Sequence, residues 1–269
     1  MAAMTTASPV PTERPSTIEL PGGPLAYVLR RSRRARNVRL TIDPRRGVVV
    51  TVPLSRSRHN GLDATVTNFL QSREAWIRRH LGRQERERRA VAARGGLVDG
   101  GTFRFRGELH RLRVEAGTPT LRRSAVRREG TVAADELAIV LATRDRRSVE
   151  RILRDWLLER AVEATAREVA RHAPALGVAP RAVTIRDPRS RWGSAAPTGR
   201  LMLSWRLVLA PPEALETVVV HELAHLRVAG HGADFWTLVA SRRPDHRAWR
   251  RWLREHSFEL HAALETIAG

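Results

Sequence analysis

In the first half of the chain, short runs of apolar residues that alternate with polar ones predict β-strands. Two of these runs, residues 38–42 and 48–52, flank the turn-forming stretch 43–47 and predict a hairpin. Over residues 62–81 the apolar positions recur every three or four residues, which predicts an amphipathic helix that Gly82 can end. The charged stretch 83–94 that follows is either a helical extension or a linker. The other segments of this half are predicted to be strands at 25–29, 102–106, 112–114 and 137–141 and a loop at 117–135.

In the second half, helical periodicity predominates. From 149 to 157 the apolar residues fall at i, i+3, i+4, i+7 and i+8, and Ser148 is suitably placed to cap this helix. A prolyl pair and an acidic residue at 211–213 open another apolar helix, which is expected to end near Gly230. The remaining predicted elements are strands at 183–185 and 201–207 and helices at 233–241 and from 244 onward.

These patterns together predict an α+β protein in which a β-rich region precedes a mainly helical one, with no internal repeat. Residues 1–17 mix Ala, Thr, Ser and Pro without any period and are predicted to be a disordered tail. We expect the rest of the chain to divide into a β-rich N-terminal region with one helix over 18–146 and a second domain over 147–269.

One predicted helix of the second half carries His221, Glu222 and His225 in the pattern His-Glu-x-x-His. Because four residues of a helix turn through about 400°, the two imidazoles lie on one face and can bind the same Zn²⁺. Glu222 lies at the edge of that face, where its carboxylate can act as general base toward a water molecule. His231 follows at the spacing of the third zinc ligand in one large class of zinc proteases. A continuous helix would point His231 elsewhere, so we expect the chain to leave the helix by Gly230.

Other polar residues of this region have two interpretations. Asp234 could orient a zinc-bound histidine, or it could simply favour the first turn of the next helix. Arg191 could bind an oxyanion or a substrate carboxylate, or it could be an ordinary structural or surface residue. Four further histidines lack ligand spacing to the motif and are expected at the surface: His172, His246, His256 and His261.

The composition restricts the chemistry that the chain can perform. The chain contains no cysteine, which excludes disulfides, a thiol nucleophile and thiolate metal sites, so a metal must be held by His, Asp or Glu. No apolar run approaches the roughly 20 residues of a transmembrane helix, and residues 1–17 lack the pattern of a secretory signal. We therefore expect a cytoplasmic protein without a membrane partner, and the sequence leaves its oligomeric state open.

The chain is strongly basic, with a net charge of +20 and a pI near 11.8. A field of this sign attracts polyanions, and nucleic acid is the first candidate partner. All 48 basic residues are arginine, however, and they are spread along the chain and interleaved with glutamate. Codon bias in a GC-rich genome would produce the same distribution. Nucleic acid is therefore a partner that the sequence allows but does not favour.

Four sequence motifs surround the histidines. They are Arg-Trp-Gly-Ser at 191–194, Leu-Ser-Trp-Arg-Leu at 203–207, Val-Val-His-Glu-Leu-Ala-His-Leu at 219–226, and His231 with Phe235-Trp236. In these motifs the chain resembles the YgjP-like metallopeptidase family, which is related to the SprT-like zinc proteases. Weaker matches upstream extend the resemblance over roughly residues 20 to 256.

The resemblance implies a zincin-like metallopeptidase domain, with the His-Glu-x-x-His helix packed against a small sheet and further helices. In such a domain His221, His225 and His231 bind zinc and Glu222 activates water. The chain departs from the family pattern at Ala195, where many members have cysteine, so no role of that thiol carries over. Val228 stands where the metzincins have a turn-forming glycine, which argues against a true metzincin.

These features predict a zinc-dependent metallopeptidase that hydrolyses peptide bonds of a polypeptide substrate, with Glu222 as the general base. The resemblance further implies that the alternating strand at 201–205 pairs with an extended substrate. The alternative is a nucleic-acid-associated protein of the SprT-like type, either a DNA-linked protease or an inactive zinc-binding module. Glu222 separates the two hypotheses, because a purely structural zinc site has no need of a carboxylate at that position.

Overall fold

The structure is a computed structural model that describes residues 13–43, 46–54, 62–131, 134–188 and 190–264. The chain divides into two compact units, residues 1–87 and 88–269, which we call unit 1 and unit 2. The described residues form a mixed α/β fold with seven α-helices and several small sheets. In these ranges no helix combines the length and apolar character that crossing a membrane requires.

Unit 1 contains a four-stranded sheet followed by helices. Its elements are β1 (Glu13–Leu20), β2 (Gly23–Ser32), β3 (Arg39–Asp43), β4 (Gly47–Pro53), α1 (Leu62–Gln71) and α2 (Glu74–Ala92), within which the boundary between the units falls. The strand order is β1-β2-β4-β3, with β2 and β4 parallel and the other pairs antiparallel. Side chains from the sheet, such as Leu29 and Val50, form the core together with Leu70 of α1 and Ile77 of α2.

The hairpin predicted in unit 1 is confirmed, since β3 and β4 pair antiparallel. Residues 44–45 of its turn lie outside the described residues. The predicted disordered tail differs from the structure at residues 13–17, which begin β1 and pair with β2. The rest of that tail, residues 1–12, is also outside the described part of the chain.

The single helix predicted over 62–81 is two helices in the structure. After α1 ends, the Ser72 hydroxyl donates to the Phe69 carbonyl oxygen at 3.0 Å, which satisfies one of the carbonyls left free at the helix end. α2 does not end at Gly82 but continues through it to Ala92, so the charged stretch that follows is a helical extension rather than a linker. The residues that follow are good helix formers, and Arg83 and Glu87 approach to 3.7 Å one turn apart.

Unit 2 contains two sheets and most of the helices. The elements are β5 (Thr102–Phe105), β6 (Glu108–Ala116), β7 (Ala125–Thr131), β8 (Ala134–Leu141), α3 (Val149–His172), β9 (Ala182–Arg186), β10 (Gly193–Ala195), β11 (Arg200–Ser204), α4 (Pro212–Ala224), α5 (Ala233–Arg242), α6 (His246–Glu255) and α7 (Ser257–Ala262). The first sheet has the order β5-β6-β8-β7 and the second, three-stranded sheet has the order β10-β11-β9. Two short 3₁₀ helices, Pro174–Leu176 and Trp205–Leu209, follow α3 and β11.

The four-stranded sheets of the two units share one topology. In each sheet, two antiparallel hairpins are joined through a central parallel pair, β2 with β4 in unit 1 and β6 with β8 in unit 2. The two sheets share this topology although the sequence shows no internal repeat. Strand order depends on backbone pairing and burial, which different residues can provide equally well.

The units divide at residue 87, whereas the sequence predicted a division at 146. The strands β5 to β8 belong with the later helices because their apolar side chains share one core. Phe105, Leu137 and Leu153 are all buried in this cluster. The predicted loop at 117–135 is wrong in part, since it contains β7, whose backbone pairs with β8 although its side chains are mostly polar.

The strand predicted to receive a substrate, 201–205, has no free edge. β11 pairs with β10 on one side and with β9 on the other, so its backbone N–H and C=O groups already have partners. The two outer strands of this sheet are β9 and β10, and the sequence did not predict β10.

Ser148 caps α3, as the sequence predicts. Its backbone is extended, with φ −67° and ψ 157°, and its side-chain oxygen accepts a hydrogen bond from the Arg151 N–H at 3.2 Å. This bond satisfies one of the N–H groups that the first helical turn leaves without an intrahelical partner.

We expect Ser148→Ala to lower the free energy of unfolding by about 0.5–2 kcal/mol, because the Arg151 N–H loses its acceptor. Ser148→Asp should remain close to wild type, since a carboxylate accepts the same bond and complements the helix dipole. Urea unfolding of the three proteins measures the difference. Equal stability of Ser148→Ala and wild type would contradict the assigned cap.

Candidate metal centre

α4, which carries the His-Glu-x-x-His motif, is buried along almost its whole length. Ten of its 13 residues are buried. Val219, Val220 and Leu223 among them are 0% exposed. As predicted, Pro212 lies at the start of the helix and Glu213 lies near the positive end of its dipole. Packing in the apolar core therefore holds α4 in place from nearly every side.

Three imidazoles converge at the C-terminal end of α4. The Nε2 atom of His231 lies 3.2 Å from Nε2 of His221 and 3.2 Å from Nε2 of His225. His221 and His225 are half-buried, whereas His231 is exposed. The three ring nitrogens thus surround one small volume at the surface of unit 2.

The spacing of these nitrogens fits a single tetrahedral metal ion. Ligand nitrogens about 2.0–2.1 Å from a tetrahedral Zn²⁺ lie about 3.3–3.4 Å apart, close to the separations found here. Burial lowers the pKa of His221 to about 3, and the charges of His225 and His231 add to this effect, so the imidazole is neutral at pH 7. Nδ1 of His225 faces the Val228 carbonyl oxygen at 3.4 Å, which favours a proton on Nδ1 and a free lone pair on Nε2.

The chain leaves α4 earlier than the sequence predicts. The helix ends at Ala224 rather than near Gly230, and the Val228 N–H closes this end by donating to the Ala224 carbonyl oxygen at 2.9 Å. Apolar residues beyond the end, such as Val228, still pack against the core and therefore continue the helical pattern in the sequence. Gly230 takes a φ of +76°, the left-handed conformation that suits glycine. The resulting turn brings His231 back toward the other two histidines.

α5 provides the aromatic side chains against which the imidazoles pack. The fully buried Phe235 ring has its centroid 4.3 Å from that of His225 and 4.9 Å from that of His221. Trp236 stacks against His231 at 5.6 Å. These contacts restrict rotation of the imidazoles, so the ring orientations are set largely by packing.

Glu222 lies against β10. A Cβ atom built on Gly193 would be 2.6 Å from Oε1 of Glu222, so the carboxyl group occupies space that any side chain at position 193 would need. Burial raises the pKa of Glu222 to about 7, while the charge of Arg191 and a hydrogen bond from the Ala195 N–H act in the opposite direction. A carboxyl group with a pKa near neutrality is well suited to accept and release a proton.

Three further residues lie around these groups. Asp234 is exposed in the first turn of α5, which agrees with the helix-dipole interpretation. Arg191 is exposed, but it lies close enough to Glu222 for its charge to lower the pKa of that carboxyl. The expected surface position of His246 is wrong. This side chain is buried because its ring stacks on Trp236 at 5.1 Å.

His221, Glu222 and His231 open onto a cleft of about 630 Å³. The rest of this cleft has no signature in the sequence, because its lining comes from elements far apart in the chain. The aromatic and small lining residues include Trp192 and Gly193. The charged ones, all from α6, are Arg247, Arg250 and Arg254.

A second group of metal-ligating side chains consists of Glu168, His172 and Glu216. His172 is buried, contrary to the surface position expected for it. Its Nδ1 accepts from Nε of Arg242 at 3.4 Å, so its Nε2 carries the proton and donates to Glu216 at 2.8 Å. Arg243 donates to the other Glu216 oxygen at 2.7 Å. These partners define a buried hydrogen-bonded ion-pair network, whose imidazole lacks a free nitrogen for a metal.

Comparison with known proteins identifies the family. The model of the YgjP-like metallopeptidase domain matches residues 36–256, which is well over half of the chain. The protein therefore belongs to the YgjP-like metallopeptidase family. No curated protein and no solved structure matches the chain significantly. Membership in this family implies a metal cofactor and polypeptide substrates.

We expect the protein, after loading with Zn²⁺ and dialysis, to hold one ion per chain. Each of the variants His221→Ala, His225→Ala and His231→Ala should lose most of it, because removing any one ligand opens the site. Elemental analysis measures the content. Glu168→Gln is the matched control in the second group and should still hold one ion. An unchanged content in any histidine variant would remove that residue from the site, and a loss in Glu168→Gln would move the metal to the second group.

Proposed function

We propose that the protein is a zinc-dependent metallopeptidase that hydrolyses peptide bonds, with His221, His225 and His231 as zinc ligands and Glu222 as the general base. The observation that carries this proposal is the convergence of three imidazole nitrogens beside a buried carboxyl group whose pKa is near 7. Three protein ligands leave one position open, as in catalytic rather than structural zinc sites. Membership in a metallopeptidase family supports the same assignment.

Glu222 performs the proton transfers in this mechanism. When bound, zinc polarises the scissile carbonyl and lowers the pKa of water toward about 7. Glu222 accepts a proton from the attacking water as the new C–O bond forms, and it donates that proton to the leaving nitrogen as the C–N bond breaks. The Ala195 N–H and the surface of Gly193 hold the carboxyl group at β10, so the rotamer of Glu222 is fixed before the substrate binds.

β10 is the strand best suited to bind the substrate backbone. Trp192 and Ala196, which flank it, bond through their backbones to β11. By strand alternation, the N–H and C=O groups of Gly193 therefore face away from β11. Gly193 also lines the cleft. An extended peptide can add to this edge by backbone hydrogen bonds, which gives affinity without fixing the sequence that is cleaved.

We expect Glu222→Gln to retain zinc and fold but to lose peptide hydrolysis by about 10²–10⁴-fold or more, because the amide cannot accept the proton. Glu213→Gln is the matched control, an exposed glutamate of the same helix, and should keep wild-type activity. Cleavage of a casein or peptide-library substrate, with metal analysis of the same samples, gives both quantities. Activity of Glu222→Gln within a few-fold of wild type would contradict the mechanism.

We expect Gly193→Ala to lower kcat by about 10²-fold with little change in bound zinc, because the new Cβ displaces the Glu222 carboxyl from its place. Ser194→Ala, the next position of β10, introduces no such contact and should remain near wild type. Steady-state kinetics of both variants separate these outcomes. Full activity of Gly193→Ala would show that the close contact does not set the position of the carboxyl group.

A further inference from the structure

One face of α6 supplies the positive charge of the cleft. Arg247, Arg250 and Arg254 are spaced at i, i+3 and i+7, which places them on the same side of the helix, and all three line the cleft that contains Glu222. All three side chains are exposed. The cleft therefore has a row of guanidinium groups beside its catalytic end.

Arg250 lies nearest to the metal centre by the contacts that the structure shows. Its guanidinium carbon lies 4.2 Å from the centroid of the Trp236 ring, and Trp236 in turn stacks against His231. Burial lowers the pKa of His221, and the charge of Arg250 is among the further causes of that shift. The cation–π contact restricts the motion of the Arg250 guanidinium, which reduces the entropy that binding an anion would cost.

These arginines lack carboxylate partners among the described residues, whereas several half-buried arginines of unit 2 have them. Arg147, Arg206 and Arg243, for example, each form an ion pair. Among the described residues, Arg247, Arg250 and Arg254 form no ion pair within 4.0 Å, and the one carboxylate that lines the cleft is Glu222. Arg254 also lowers the pKa of Arg250, in addition to the larger effect of burial, which reflects the closeness of two like charges. The row thus retains its full capacity for an anionic ligand.

We propose that Arg247, Arg250 and Arg254 make the cleft selective for substrates that present a carboxylate near the scissile bond, with Arg250 as the main contact. This inference rests on the proposed peptidase function and deepens it. A guanidinium binds a carboxylate through two parallel hydrogen bonds, so the preferred group is an aspartate or glutamate side chain or the free C-terminus of the substrate. The overall basic character of the chain does not account for the row, because these three arginines share one cavity with Glu222.

The test uses zinc-loaded protein and two measurements. The first is kcat/KM for quenched fluorescent peptides that differ only in Glu, Gln or Lys at one position, scanned across the cleaved bond, each with a free or an amidated C-terminus. The second is the affinity of the Glu222→Gln protein for the same peptides by fluorescence anisotropy, which needs no turnover. Arg250→Gln is compared with Arg251→Gln, a matched control because Arg251 is exposed on the same helix but does not line the cleft.

We expect the Glu peptide to exceed the Gln peptide by about tenfold in kcat/KM and in affinity, as one charge-assisted contact would give. Arg250→Gln should remove most of this ratio, and Arg251→Gln should preserve it. If kcat/KM rises only when Glu stands at one position of the peptide, the ligand is a side-chain carboxylate at that position. If kcat/KM differs only between peptides with a free and an amidated C-terminus, the ligand is the C-terminal carboxylate.

Several results would overturn the proposal. If kcat/KM and affinity are equal for Glu and Gln peptides, and equal for free and amidated ones, the row does not select carboxylates. Equal losses of the Glu preference in the Arg250→Gln and Arg251→Gln variants would lead to the same conclusion. Displacement of a bound peptide by a DNA oligonucleotide, with no preference for Glu, would assign the row to nucleic acid instead. Cleavage of all peptides without discrimination would leave the peptidase function standing, whereas carboxylate-dependent binding without any cleavage would refute that function and support the row as an anion site.

Discussion

The enclosure of α4 in the apolar core is the constraint on which the rest of unit 2 depends. Water does not reach most of this helix, so its polar side chains need partners within the protein. Thr217 donates to the Glu213 carbonyl oxygen at 2.7 Å, and Glu216 bonds to His172 and Arg243. The polar groups that remain are those at the C-terminal end, where the helix meets the cleft.

Two glutamates on this one helix therefore have opposite environments. Glu216 is surrounded by donors from α3 and from the end of α5, which satisfy both of its oxygens. Glu222 faces the backbone of β10, where a glycine makes room for it and burial opposes its ionisation. The first arrangement stabilises the core, and the second leaves a carboxyl group able to exchange a proton near neutral pH. Local packing alone accounts for this difference in chemistry.

Local patterns in the sequence were sufficient to predict the features that depend on neighbouring residues. The cap at Ser148, the start of α4 and the hairpin β3–β4 all follow from spacing within a few residues. β10 was missed because it has only three residues and is defined by its pairing with β11. The burial of His172 was missed for a similar reason, since its partner Glu216 is 44 residues away in the chain.

The same limit applies to the candidate site. The spacing of the motif indicated which histidines and which glutamate to examine, but the contact between Glu222 and Gly193 joins two separate segments that no periodicity connects. The row of arginines on α6 is visible in the sequence as a helical pattern, yet its position in the cleft depends on how α6 packs. Long-range packing thus determines the surroundings of a site whose main groups are local.

The three imidazoles also differ in how firmly each is held. His221 and His225 belong to a helix fixed in the core, whereas His231 is exposed on a turn between two glycines, Gly230 and Gly232. For a metal ion bound here, His231 is the ligand that can be replaced first, while the other two still hold the ion. Exchange of such an ion with a chelator or a metal donor would then need movement of this turn but no unfolding of the helix. One short turn would accordingly govern how fast such an ion is acquired and lost.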